Sequence, residues 1–307
     1  MNPAFSVVIF TTIAGAAQGL VAMLALAALL GLPMASGFVG GSLLLAEAML
    51  LVGLGASFAH LGRPERAWRA VLMWRTSWLS REVIVLPAFI GVVGLWWLAL
   101  RAGLSFALLP LLALGMAALL WYCTAMIYAC IRFIEEWAQP LTLVNFALIG
   151  LSSGLVLLSA IAAFAGEAAL LQISGPAALA VTLLAGACRL MSLRHNARIK
   201  HRSTLQSATG IRSERLVQTS MGMSAGAFNT REFFHGRTRA LLKQVRLGFL
   251  LLGFALPALL ALWGLLSGAS LPWALALLCQ VPGLLAERWF FFAQAKHPQN
   301  LYYQVVS

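Results

Sequence analysis

Eight stretches of about twenty apolar residues divide this chain, each long enough to cross a hydrocarbon core of about 30 Å as a helix. They run approximately Phe5–Leu32, Phe38–Ala59, Glu82–Leu100, Leu104–Ile131, Leu141–Ala165, Ala168–Leu190, Val245–Leu266 and Pro272–Phe292. Backbone polar groups find no partners in lipid, so a spanning segment must bond to itself as a helix or close into a barrel. Runs of this length predict an all-α, polytopic membrane protein with eight transmembrane helices in a single membrane domain, residues 1–307. Composition agrees: 61% of residues are hydrophobic and 10% charged, against about 45–50% and about 25% in soluble domains. The first run is read as a retained span. No basic region precedes Phe5, and the run exceeds the 7–15 residues or so of a secretory signal's apolar core.

The connections alternate in character. Pro33–Gly37, Arg101–Gly103, Gly166–Glu167 and Ser267–Leu271 are short turns on one side. Both termini, the loops Leu61–Arg81 and Arg132–Pro140, and the long polar segment 191–244 fall on the other. Of the 21 Lys and Arg, only Arg101 falls with the short turns, and the rest are assigned to the long-loop side. The positive-inside rule then places both termini and every large loop in the cytoplasm. A net charge of +12 without a single aspartate does not point to nucleic acid, because the basic residues border spans. Anionic lipid and a docked protein are the expected counter-charges.

Cys123, Cys130, Cys188 and Cys279 show no C-x-x-C spacing and no nearby histidine, so they read as packing residues with no metal site. None of the five histidines lies at the centre of an apolar run, where an axial haem ligand would sit. The chain is therefore expected to carry neither haem nor an iron–sulfur cluster of its own.

All nine acidic residues are glutamates. Glu47 lies mid-way along the second run, where an ionised carboxylate costs about 2.5–3.5 kcal/mol; it is either a hydrogen-bonded carboxyl or part of a proton path. Glu287, followed by Arg288 near a membrane boundary, reads as a local structural pair. Glu82 opens the third run after Ser77 and Ser80, in a position to cap the helix or complement its dipole. Before it, His60 ends the second run, Gly62 and Pro64 break the helix, and a stretch with Trp68 and Trp74 should lie along the interface. His60 and Glu82 thus flank one return of the chain at one membrane depth. That arrangement suits a quinone, which needs an apolar slot and titratable groups in touch with water.

The run His60-Leu61-Gly62-Arg63-Pro64, together with Ser77-Trp78-Leu79-Ser80-Arg81-Glu82, resembles the membrane-anchor subunits of the dimethyl-sulfoxide-reductase type (DmsC), related to the NrfD proteins. Glu287-Arg288-Trp289-Phe290-Phe291-Phe292-Ala293, with His297 and Asn300-Leu301-Tyr302-Tyr303 beyond, looks like the same family. The resemblance implies a three-part complex. Its partners would be a subunit with a molybdenum bis(pyranopterin) centre and a four-cluster iron–sulfur subunit, with ubiquinone or menaquinone reacting at the anchor. It also implies that His60 and Glu82 are the quinone-site pair.

The long loop carries Ser203-Thr204-Leu205-Gln206-Ser207-Ala208-Thr209-Gly210 and Ser224-Ala225-Gly226-Ala227-Phe228-Asn229-Thr230-Arg231-Glu232-Phe233-Phe234-His235-Gly236. Both runs are similar to the membrane subunit of cytoplasmic sulfite dehydrogenases (SoeC), and the loop's aromatics favour ordering against a partner over a free linker. The resemblance implies sulfite oxidation coupled to quinone reduction in a bacterial inner membrane, with Arg63, Arg66, Arg69 and Arg75 docking a partner or holding lipid phosphates. Two other readings remain. A reductase fed by quinol would use the same site in reverse. An ion transporter would use Glu47, although no run is plainly interrupted near its middle as transporter helices are.

Overall fold

The structure is a computed structural model that describes residues 1–59, 61–104, 106–217, 219 and 235–302. Among these residues there is no strand. Eight helices are long and apolar enough to cross a membrane: α1 Phe5–Leu29, α2 Ser36–Phe58, α3 Trp78–Arg101, α4 Leu108–Ala129, α5 Pro140–Ala165, α6 Ala168–Arg198, α7 Arg239–Ser267 and α8 Leu271–Ala293. A 3₁₀ helix, Pro64–Met73, lies between α2 and α3, and a one-turn helix, Leu205–Thr209, follows α6.

Two helices outrun their apolar stretches. α6 continues from Leu190 to Arg198, and α7 begins at Arg239 rather than Val245. Hydropathy marks where lipid ends, whereas a helix ends where its backbone is capped. Thr238 supplies the cap for α7 by accepting from the Leu241 amide at 3.2 Å. The first turns of α7 then place Leu241, Leu242, Val245 and Phe249 on one face at helical spacing.

Each helix packs against its neighbours to form two four-helix bundles. α1 to α4 close one ring, and α5 to α8 close the other. The rings share a seam where α1 lies along α5, with α4 and α8 supporting it. Small residues allow the close approach. Gly15 and Gly19 on α1 face Gly150 and Gly154 on α5, two G-x-x-x-G patterns in register. A Cβ on Gly154 would overlap the Gly19 carbonyl carbon, and one on Gly19 would overlap the Gly150 oxygen. Turn geometry also falls to glycine: Gly166 and Gly268 end α5 and α7 in the left-handed conformation, at φ 75° and 68°. Across the short-turn face, the Ala35 amide donates to Glu167 at 3.0 Å, which ties the two bundles together there.

α7 contains a π-helical turn, Leu251–Ala255, directly before Pro257. Pro257 has no amide to give the carbonyl four residues back, and the wider turn accommodates that loss. At the same turn, Gly253 touches the backbone of Gly283 on α8.

Two arginines assigned by sequence to the loop-rich face are instead inside the second bundle. Arg189 on α6 and Arg288 on α8 are 1% and 3% exposed. The reason is Glu287, whose carboxylate lies 2.7 Å from Arg189 and 3.6 Å from Arg288. Glu287 therefore joins two helices rather than making only a local pair. Arg288 also lies 3.8 Å over the Phe146 ring. Nearby, Gln280 donates to Ser152 at 3.0 Å and Ser152 bonds Thr182 at 2.7 Å, so α5, α6 and α8 are joined by buried hydroxyl and amide groups.

Candidate functional site

The 3₁₀ helix Pro64–Met73 has no buried residue. Trp68 and Trp74 are exposed, as are Leu72 and Met73, which fits an element lying along a membrane surface. Arg81 locks its end: Nε donates to the Trp74 carbonyl and Nη2 to that of Arg75, both at 2.9 Å. The same guanidinium sits 4.0 Å over the Trp78 ring, and Trp78 meets Tyr122 edge-on at 5.2 Å. Ser77 caps α3 by accepting from the Ser80 amide. With α3 starting at Trp78, Glu82 falls beyond its first turn. Glu82 is thus not a cap. It points inward, 6% exposed, and accepts a hydrogen bond from the Thr124 hydroxyl of α4.

Beside Glu82 opens a pocket of about 290 Å³, near the lower end of the roughly 300–1,000 Å³ usual for small-molecule sites. Its walls come from four spans and the 3₁₀ helix: Val7 and Phe10, Leu54 and Phe58, Ala67 and Ala70, Leu79 to Pro87, and Ile127. Polar groups are few. They are Glu82, the Tyr128 side chain and Ser57, whose hydroxyl donates to the Leu54 carbonyl at 2.7 Å. Tyr128 is held by an aromatic cluster, with Trp137, Phe146, Phe291 and Phe292 ring centroids 5.3–5.6 Å away. Behind Glu82, Thr124 also borders a cavity of about 10 Å³ shared with Gln18, Trp121, Ser153 and Arg288.

An apolar slot with a carboxyl and a phenol at its wall fits the head of a quinone, which needs hydrogen-bond partners at its carbonyls and little water around it. Tyr128 is the participant that sequence reasoning missed. It sits in the fourth apolar run with no spacing signal to separate it from interface tyrosines. His60 lies outside the described residues; its neighbours Phe58 and Leu61 line the pocket.

Glu47 is not part of this site. It lies with Val93, Gly94 and Trp97 in a separate groove between α2 and α3, and one of its oxygens is buried without a hydrogen-bond partner. From Glu82 to Gly94 is twelve residues, or about 18 Å along α3. Arg63, Arg66, Arg69 and Arg75 are all exposed around the 3₁₀ helix, with Arg66 3.9 Å from Glu65 and Arg69 and Arg75 each over a tryptophan.

The profile of the DMSO reductase anchor subunit (DmsC) family matches residues 1–216. The chain belongs to that family. Its likeness to an anchor extends past the matched segment: the sequence is 48% identical to one of the subunits of the Allochromatium vinosum sulfite dehydrogenase, over an alignment of 326 residues that covers all of both chains. An anchor with eight spans is a multi-pass membrane protein, as the apolar runs predict.

Proposed function

We propose that this chain is the membrane anchor and quinone-reducing subunit of a three-part sulfite dehydrogenase, converting sulfite, water and quinone to sulfate and quinol. The observation that carries the reading is the apolar pocket walled by Glu82 and Tyr128 beneath an exposed arginine-rich helix. Full-length likeness to a sulfite dehydrogenase component supports the substrate. The partners in this reading are a molybdenum bis(pyranopterin) subunit and a four-cluster iron–sulfur subunit, docked on the face with Arg63, Arg66, Arg69 and Arg75. That face and both termini lie in the cytoplasm of a bacterial inner membrane, in keeping with its basic charge.

Ubiquinone or menaquinone, when bound, accepts the two electrons and two protons that sulfite oxidation releases. The chain's own residues supply the surroundings. Thr124 fixes one Glu82 oxygen, so the other is aimed at a ligand in the pocket. The aromatic cluster fixes Tyr128 in the pocket wall, where its hydroxyl can donate to a carbonyl. Leu54, Phe58, Leu86 and Ile127 exclude water, which strengthens both contacts. His60 exchanges protons with the aqueous side and Glu82 passes them inward.

The test is sulfite-dependent quinone reduction by membranes that hold the assembled complex, comparing wild type with His60→Ala and Glu82→Gln. The expected result is loss of quinone reduction with sulfite oxidation by an artificial acceptor retained. Unchanged quinone reduction in both variants would remove the site assignment. Wild-type membranes that reduce a sulfoxide with quinol but do not oxidise sulfite would reverse the direction.

A further inference from the structure

A second groove lies on the opposite flank of α1, where the two bundles meet at the loop-rich face. Phe5, Val8 and Ile9 of α1 form one wall, Leu241 and Val245 of α7 another, and Leu285, Ala286 and Trp289 of α8 the third. Its volume is about 470 Å³, and it is open at the side. Among the described residues the only charged one lining it is Arg237, which precedes α7. Arg237 is exposed and, among the described residues, has no carboxylate partner within ion-pair distance. Next to it, the His235 ring lies 6.4 Å from Trp289, and His235 Nδ1 accepts the Arg237 amide at 3.0 Å. Burial, the Met1 amine and Arg237 together hold His235 below the ordinary histidine range, so positive charge is concentrated at this mouth.

The combination is specific. Apolar walls at the depth of lipid tails favour a hydrocarbon chain, and an uncompensated guanidinium at the rim favours a phosphate. Trp289 at the same level is the side chain that suits a headgroup boundary. A zwitterionic lipid would bring its own cation to Arg237, whereas an anionic one would not. We propose that this groove binds an anionic phospholipid, with one acyl chain between α1, α7 and α8 and its phosphate on Arg237. The lipid then joins the first bundle to the second at their basic face, opposite the Glu82 pocket.

Native mass spectrometry of the detergent-purified full chain tests this, with phosphatidylglycerol, phosphatidylcholine or inorganic phosphate added. Wild type should retain phosphatidylglycerol under activation that strips phosphatidylcholine. Arg237→Gln should reduce that retention about fivefold, and Ala286→Phe, which fills the groove, should reduce retention of both lipids. Arg237 is exposed, so its variant decides the matter even if Ala286→Phe does not fold. Equal retention of the two lipids, or no change in either variant, overturns the proposal. Competition by inorganic phosphate without lipid retention would leave an anion site and no lipid site. Retention that appears only after deletion of residues 220–234 would mean that the chain itself fills the groove.

Discussion

Arg189 and Glu287 meet at 2.7 Å between α6 and α8, each with a side chain only 1% exposed. Arg288 lies 3.6 Å from the same carboxylate, so a single negative charge serves two buried guanidinium groups. Removing one partner of a buried ion pair costs about 3–5 kcal/mol, because the other charge is stranded. The two losses are unequal here. Glu287→Gln strands two cations, while Arg189→Met leaves Glu287 with Arg288. Glu287→Gln should therefore lower the thermal midpoint of the detergent-purified chain, and its membrane yield, more than Arg189→Met does. The reverse order would mean that Arg288 does not share the carboxylate.

The seam between the bundles makes a separate prediction. Gly154→Ala forces a methyl group against the Gly19 backbone, and neither backbone can yield without parting α1 from α5. A loss of about 1–3 kcal/mol is expected, typical of overpacking. Gly41→Ala is the control, since nothing lies within 4 Å of its added carbon. Thermal midpoints of the two variants, measured side by side, check the contrast.

Thr124 tests whether the orientation of Glu82 matters to turnover. Thr124→Val keeps the shape but removes the donor to the carboxyl. Quinone reduction should fall about tenfold, the effect of one lost hydrogen bond to a charged or polarised group. Thr124→Ser should retain most of it. Equal activity in Val and Ser variants would show that the contact is packing only.

The pocket's volume can be probed without touching its polar groups. Leu86→Trp, on the wall opposite the tyrosine cluster, should raise the KM for quinone while leaving sulfite oxidation by an artificial acceptor unchanged. An unaltered KM would place the quinone elsewhere.

A pH effect follows from the amino end. The Met1 amine donates to the carbonyls of Ala293 and Ala295, and burial lowers it from 8.0 to about 6 despite the nearby Glu136 carboxylate. Between about pH 6 and 8 the unfolded chain holds more of this proton than the folded chain, so stability should rise with pH across that window. Glu136→Gln removes the charge that favours the protonated amine and should extend the rise to lower pH. Thermal midpoints from pH 5.5 to 8.5, roughly spanning both values, would reveal it.

Much of the membrane architecture was legible because lipid leaves the backbone few options. Leu43, Leu50 and Phe89 had to sit in apolar helices whatever their neighbours, and span ends agree within a few residues at α1, α2 and α5. What sequence did not show is which helices touch. Gly15, Gly19, Gly150 and Gly154 carry the seam, yet a G-x-x-x-G pattern has no meaning until its partner is known. Arg189 was misplaced for the same reason: a charge near the end of an apolar run looks like a loop residue unless a distant Glu287 is known to face it. Glu82 was found through its local context, the break after α2 and the serines before α3. Its inward aim and the contribution of Tyr128 depend on α4, which no spacing in α3 can reveal.

The length of α6 sets a scale for whatever docks on the basic face. Its 31 residues make a rod of about 46 Å, some 15 Å more than the hydrocarbon core. Gln139 braces the projecting end through Asn196 at 2.7 Å, and His201 just beyond lies within 3.8 Å of Glu135 and Glu136. The rod therefore works as a gauge, holding an electron donor at a set height above the Glu82 pocket. One extra turn inserted between Met191 and Arg198 would raise that donor by about 5.4 Å and slow electron arrival, with every residue of the pocket still in place.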